Sequence, residues 1–330
     1  MARVGGVREH DGERLTDRIS VGVLAKVFPP DVVDAAIKAT GKKEQRVRSL
    51  PARVVVYFVI AMCIWSEESY VEVMTLLTQG LVSMKRWSKA WEIPTDAAIT
   101  IARSRLGSSP LAELFSAVAK PLSKKKDSAC WYRNWHLMAI DGTVFDLPDT
   151  PANETAFGRP GSSRGRSAFP QARVVALAEC GTHAIVDAVI GGTKDSEVAL
   201  AGGLFRSLTS KDLHLADRGF YSFDLWKTAA SSGAQLLWRM KSSAVLPALE
   251  VFEDSSYRSE VFAATDTKKT TPITVRVIEY VLEGRSDCSS QRPYRLITTI
   301  IDPGAAPATE LAALYAQRWE IELRHEVAHG

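Results

Sequence analysis

Three acidic residues stand far apart in the chain, each in a run that reads as a structural unit: Asp141 in HLMAIDGTVFDL, Asp217 in LHLADRGFY and Glu322 in YAQRWEIE. Carboxylate oxygens are hard ligands, and Mg²⁺ is normally held by one or two of them together with the phosphates of its substrate. If residues 137–147 form a strand, alternation puts Ala139, Asp141 and Thr143 on one face and turns Asp146 to the other. Asp217 follows an apolar strand-like run at 213–216, which places it at the carboxyl end of a sheet, where α/β proteins build sites. Tyr315, Arg318 and Glu322 lie at i, i+3 and i+7, within a helix stripe about 60° wide at roughly 100° per residue. A carboxylate on a stripe that faces a sheet must find a cation or hydrogen bonds. Structural alternatives are an Asx turn at Asp141-Gly142, a turn cap at Asp217, and a helix ion pair between Arg318 and Glu322.

The elements that carry these residues fall into two regimes. Up to about residue 125 the apolar spacing is helical, recurring at 17–28, 30–40, 51–65, 70–81, 95–106 and 110–119, with breaks at Pro29-Pro30, Gly41, Gly80, Pro94 and Gly107. A polar stretch at 123–128 reads as an exposed linker. From Trp131 the pattern changes to strands at 137–147, 172–180 and 183–190, the last two joined by a tight turn at Gly181-Thr182. A helix at 196–208, a strand at 213–216, a helix at 222–231 and a strand at 235–240 follow, so the later strands are expected to be parallel through their crossovers. Residues 242–294 are polar and read as a β-rich insertion outside the main sheet, after which 296–301 resumes a buried strand. A long helix begins near Pro307.

A formal net charge of +3 neither requires nor excludes a nucleic-acid partner, although basic residues cluster at 42–48, 124–126 and 159–173. Cys63, Cys130, Cys180 and Cys288 are scattered without a CxxC pair, which argues against a disulfide framework or a cysteine zinc site and for reduced, mostly buried thiols. The most apolar run, 54–65, is too short to span a bilayer, so a buried helix is expected and no membrane partner. The amino terminus carries acids and no apolar core, so the expected location is the cytoplasm.

Through IDGTVFDLPDT, LADRGFYSFDLW and the spaced set Tyr315, Arg318 and Glu322, the chain resembles the insertion-sequence-4 group of bacterial DDE transposases. LWRMKSS at 237–243 and AITIARSRLG in the helical region add to the likeness, which covers nearly the whole chain. The resemblance implies an all-helical domain at 1–125 that binds DNA ends or serves assembly. It also implies a ribonuclease H-like α/β catalytic domain at 131–330, a mixed sheet interrupted by the β-rich insertion. Asp141, Asp217 and Glu322 would bind two Mg²⁺ or Mn²⁺ ions for cleavage and strand transfer at the terminal inverted repeats of a mobile element. Tyr315, Arg318, Arg239 and Lys241 would contact DNA, and Trp238 would either stack on a displaced base or belong to the core. Transposon-end and target DNA are the implied partners of a bacterial, nucleoid-associated protein that forms a homodimer on DNA. Where the family carries a Lys seven residues after the Glu, this chain has His329, and it stops one residue later. A shortened, catalytically incompetent relative that binds DNA and inhibits transposition, or a decayed relic, is therefore the alternative.

Three further features compete for function. His325-Glu326-Val327-Ala328-His329 matches HExxH, but a third zinc ligand downstream has no room. A helix-turn-helix around 95–119 would turn Arg103 and Arg105 towards DNA. The loop GRPGSSRGRSAFPQAR lacks P-loop spacing and reads as a phosphate-contacting loop or a solvated hairpin.

Overall fold

The computed structural model describes residues 21–46, 49–83, 93–162, 165–281 and 293–327. The chain divides into two compact units, Met1–Val118 and Ala119–Gly330.

Among the described residues the first unit is helical: α1 (Val21–Val27), α2 (Pro30–Ala39), α3 (Ala52–Ile64), α4 (Tyr70–Ser83), α5 (Asp96–Leu106) and α6 (Ser109–Val118). The start of the helix expected at 17–28 lies outside the described residues. Pro30 occupies the first turn of α2, where a missing N–H costs nothing. Thr95 opens α5 by accepting the Ala98 N–H at 3.3 Å, and Gly107 closes it at φ +71°, a conformation other residues adopt only with strain. The helices meet around Val33, Phe58, Met74, Leu77, Ile99 and Leu114. Because α3 runs through that core, it is apolar on most of its surface. No described helix is long and apolar enough to cross a membrane.

The second unit runs β1 (Trp131–Tyr132), β2 (Trp135–Asp146), α7 (Pro151–Phe157), β3 (Gly161–Ser162), β4 (Gly165–Arg166), β5 (Gln171–Glu179), β6 (Ile185–Gly191), α8 (Glu197–Ala201), a 3-10 helix (Gly202–Ser207), β7 (Asp212–Ala216), α9 (Phe223–Ser231), β8 (Gln235–Met240), β9 (Glu250–Val251), β10 (Tyr257–Val261), β11 (Ile273–Tyr280), β12 (Tyr294–Thr298) and α10 (Ala308–Val327). Among the described residues, ten strands form one mixed sheet in the order β6-β5-β2-β7-β8-β12-β11-β10-β9, with β1 paired to β2. The β2–β7 and β7–β8 pairs are parallel, and the other pairs of this sheet are antiparallel. This is the mixed α/β arrangement the strand and helix alternation predicts.

Two local differences have physical causes. The helix expected at 196–208 breaks at Gly202-Gly203, whose flexible backbone tightens into the 3-10 turn. Part of the polar segment 242–294 joins the sheet instead of standing outside it: β11 pairs with β12 from Arg276↔Thr298 to Tyr280↔Tyr294, and Val275 and Val277 enter the core. One face of the sheet packs on α9 through Trp226, Ala229 and Trp238; the other takes α10 through Leu137, Leu215, Leu237, Leu311 and Tyr315. Cys130 is buried, Cys180 half-buried and Cys63 exposed, and none of the three is in a disulfide. Cys288 lies outside the described residues.

At the amino end of β2 a buried polar cluster ties the start of this unit to the sheet. His136 Nε2 lies 2.6 Å from Glu179 Oε1 and its Nδ1 lies 3.4 Å from Asp212 Oδ1. Glu179 also accepts the Leu122 N–H at 3.0 Å and the Ser123 hydroxyl at 2.5 Å. Burial works against the charged imidazole, but the hydrogen bonds it donates to Asp212 and Glu179 outweigh it and raise the His136 pKa. Burial likewise opposes the Glu179 carboxylate, yet its bonds from Ser123, Thr182, His136 and Leu122 pull it down to about 2. A raised histidine contributes stability that is full below its ordinary 6.5 and is lost as pH climbs through the folded value. A depressed carboxylate contributes stability that is full above its ordinary 4.5 and lost as pH falls towards 2. The melting temperature is therefore expected to fall on both sides of that window, and His136→Gln should flatten the alkaline decline. An unchanged alkaline limb in the variant would rule out His136 as its source.

Candidate active site

The parallel register of β2 and β7 runs from His136↔Asp212 to Ala139↔Leu215. Two residues further, the same offset sets Asp141 opposite Asp217, on neighbouring strands about 4.8 Å apart and on the same face. The register of β7 with β8, which ends at Ala216↔Trp238, extends in the same way to set Asp217 beside Arg239. Arg239 Nη1 lies 3.6 Å from Asp217 Oδ1. Two carboxylates and a guanidinium thus form a row across three strands. Asp141 is exposed, and its Oδ1 accepts the N–H of the adjacent Gly142 at 2.8 Å; both residues lie within β2, so no Asx turn forms there. Asp217 Oδ1 is buried and accepts no hydrogen bond among the described residues. Hard oxygen donors with an unsatisfied buried lone pair fit a divalent cation. A Cβ at Gly142 would lie 2.9 Å from the carboxyl carbon of Glu197, the end of a flexible, exposed side chain that can move aside.

Helix α10 crosses this face in the direction of β2 and β7. Near its start Glu310 accepts the Tyr132 hydroxyl at 2.6 Å, beside the amino end of β2, and further along Tyr315 donates to the Ala216 carbonyl at 3.1 Å, next to Asp217. Glu322 follows on the Tyr315 stripe, about 10 Å further along the axis. The side chains of Arg318 and Glu322 lie outside the described residues, and with them the ion pair that is their structural alternative. Among the described residues no three His, Cys, Asp or Glu side chains cluster as a metal site.

Two side chains expected at DNA are buried. Trp238 is fully buried, donates its indole N–H to His214 Nδ1 at 3.0 Å and meets Trp226 edge-on at 5.2 Å. Alternation along β8 turns it to the α9 face, away from Arg239, so it belongs to the core. Tyr315 is also fully buried because its stripe seats the helix on the sheet, and its hydroxyl ties α10 to the end of β7. Arg239, half-buried, reaches Asp217, and Lys241 is exposed just past the end of β8. The aromatic partners missed in the sequence are Tyr294 and Tyr280. The Arg239 guanidinium sits 4.5 Å from the Tyr294 ring centroid, and Tyr294 stacks on Tyr280 at 5.4 Å. Burial pushes the Tyr280 hydroxyl up to about 12. The β8–β12 pairing brings Tyr294 to Arg239 and the β11–β12 pairing sets Tyr280 against Tyr294, and no local pattern announces either.

The competing features resolve differently. Arg103 bonds the Tyr70 hydroxyl and lies 5.1 Å above its ring, while Arg105 donates to the Leu50 carbonyl at 2.8 Å. Arg159 binds Asp149 at 2.6 Å and Glu154 at 3.2 Å, so it holds its own loop together. His329 and the side chain of His325 lie outside the described residues.

The sequence of the chain has relatives among known proteins. Residues 18–116 match the family described as insertion element 4 transposase N-terminal, and residues 136–329 match the transposase DDE domain. The chain belongs to the DDE-domain transposases of the insertion element 4 type. It is 25% identical over 307 residues to transposase InsG for insertion sequence element IS4 of Escherichia coli K12, covering 91% of this chain and 66% of that protein. InsZ of the same strain is 27% identical over 223 residues, covering 66% of this chain and 71% of that protein. The chain thus spans just under two thirds of InsG. An endonuclease V from Bacillus subtilis overlaps 49% of this chain and 64% of its own at 13% identity, with a TM-score of 0.22, too low to bear on the fold.

Proposed function

We propose that this chain binds the terminal inverted repeats of an insertion sequence, cuts phosphodiester bonds there and joins the 3′-ends to target DNA. What supports the reading is the parallel β2–β7 register, which, carried on from Ala139↔Leu215, sets Asp141 in the middle of β2 beside Asp217 just past the end of β7, on the face that α10 packs against. A sheet that runs antiparallel from β6 through β5 to β2 and then parallel through β7 to β8 supports a ribonuclease H-like catalytic unit. Asp141, Asp217 and Glu322 would hold two Mg²⁺ or Mn²⁺ ions, which supply activation of the attacking water or 3′-hydroxyl and stabilisation of the leaving oxygen. Around them the chain's own residues bind and orient the substrate. Arg239, braced on Tyr294, and Lys241, exposed beyond β8, bind phosphate beside the cut. Tyr294 takes over the stacking role expected of Trp238. The helical unit binds the DNA ends, and a homodimer pairs them on chromosomal DNA in the cytoplasm.

The test is nicking of a supercoiled plasmid carrying the genomic segments that border this reading frame. Nicking is expected with Mg²⁺ or Mn²⁺ and should disappear with EDTA, while binding of the same segments in a gel shift persists. Binding without nicking under any metal would discard the enzyme reading in favour of an inhibitory, DNA-binding relative.

A further inference from the structure

The helical unit holds a cavity of about 480 Å³ lined by Lys42, Lys43, Arg46 and Arg105, with Glu44 the one acid among its described lining residues. Lys42, Lys43 and Arg46 come from the connection after α2, and Arg105 from the last turn of α5, so the fold gathers cations from two distant stretches of chain. The frame is fixed. Lys42 Nζ donates to the Arg105 carbonyl at 3.3 Å, and Arg105 donates to the Leu50 carbonyl at 2.8 Å. Glu44 turns its carboxylate to the Ala52 N–H at the start of α3, so it is oriented towards a helix terminus. Lys43 and Arg46 are exposed at the rim. A polar hollow this size with a surplus of three positive side chains over acid recognises a phosphate group.

We propose that this cavity is a phosphate-binding site, separate from the carboxylate row, that takes a phosphodiester of DNA. The identity of its ligand rests on the transposase reading. Phosphate could also arrive as a free polyphosphate, and the two sources leave different signatures. Removing one cation that neutralises a phosphate lowers the slope of log affinity against log salt by about 0.9 for duplex DNA. For the full-length double variant Lys43→Ala/Arg46→Ala, fluorescence anisotropy with labelled duplex DNA over a KCl series should give a slope lower by about 0.9 than the parent's, the share of the one phosphate the site neutralises. Both side chains are exposed, so the melting temperature should match the parent's and confirm folding. Inorganic triphosphate, followed by calorimetry on parent and variant, reads the other source. Binding to the parent alone with an unchanged DNA slope would keep the phosphate site but assign it a free ligand. An unchanged slope with no difference in triphosphate binding would overturn the proposal. A parent that binds no DNA while its cavity binds triphosphate would remove the transposase reading and leave the phosphate site standing.

Discussion

Asp217→Asn should lower Mg²⁺-dependent nicking by about 10³-fold, roughly 4 kcal/mol of transition-state stabilisation, while DNA binding and folding stay intact. The carboxamide has the shape of the carboxylate but not its charge, and a neutral oxygen is a poor ligand for a hard cation. Folding should not suffer, because Asp217 Oδ1 accepts no hydrogen bond among the described residues that the substitution would remove. What the fold does lose is the ion pair with Arg239 at 3.6 Å, an interaction of partly exposed groups worth under about 1 kcal/mol. The competing explanation is that Asp217 serves only to hold Arg239. Arg239→Met separates the two, since it breaks the same pair but leaves both carboxylates. If Asp217→Asn and Arg239→Met reduced nicking equally, and Mg²⁺ raised the melting temperature of parent and Asp217→Asn alike, the metal role of Asp217 would be lost.

How far the sequence reveals this site depends on the range over which each residue is determined. Asp141 and Asp217 are legible because each follows from a local pattern, alternation within one strand and position at the end of another. Their meeting requires only that β2 and β7 be neighbours, which a crossover connection permits but no local pattern fixes. Trp238 misleads because proximity in sequence to Arg239 and Lys241 is no proximity in space: on a strand, successive side chains face opposite ways. Tyr315 lies on the stripe the helix spacing indicates, and that stripe buries it. The polar segment before β12 is illegible for another reason. Ser256 and Arg276 are polar residues that read as surface, yet both are buried because they bond each other and the start of α10. Burial of a polar residue depends on partners that sequence separates by tens of residues.

That last network sets the second large effect. Arg276 is fully buried on β11 and donates to the Ala306 carbonyl at 2.7 Å, to the Ser256 hydroxyl at 2.7 Å and to the Asp254 carboxylate. Asp254 in turn accepts the Ala308 N–H at 2.8 Å, at the first residue of α10. Burial lowers the Arg276 pKa, and although burial also acts against the Asp254 carboxylate, its bonds from Ser256 and Ala308 and the Arg276 charge keep its pKa low. The pair therefore fixes the start of the helix whose further turns carry Tyr315 and Glu322. Arg276→Met leaves the Asp254 carboxylate without its counter-charge and the Ala306 carbonyl without its donor, and should destabilise the second unit by about 3–5 kcal/mol in chemical denaturation. Nicking should decline with it as α10 loosens from the sheet. Adding Asp254→Asn removes the orphaned charge but keeps an oxygen for the Ala308 N–H, so the double variant should recover part of that loss. A single variant within about 1 kcal/mol of the parent would mean that α10 is seated by its apolar stripe alone. Full additivity of the two substitutions would show instead that the buried pair acts as two independent contacts, and that the capping of α10 does not depend on Arg276.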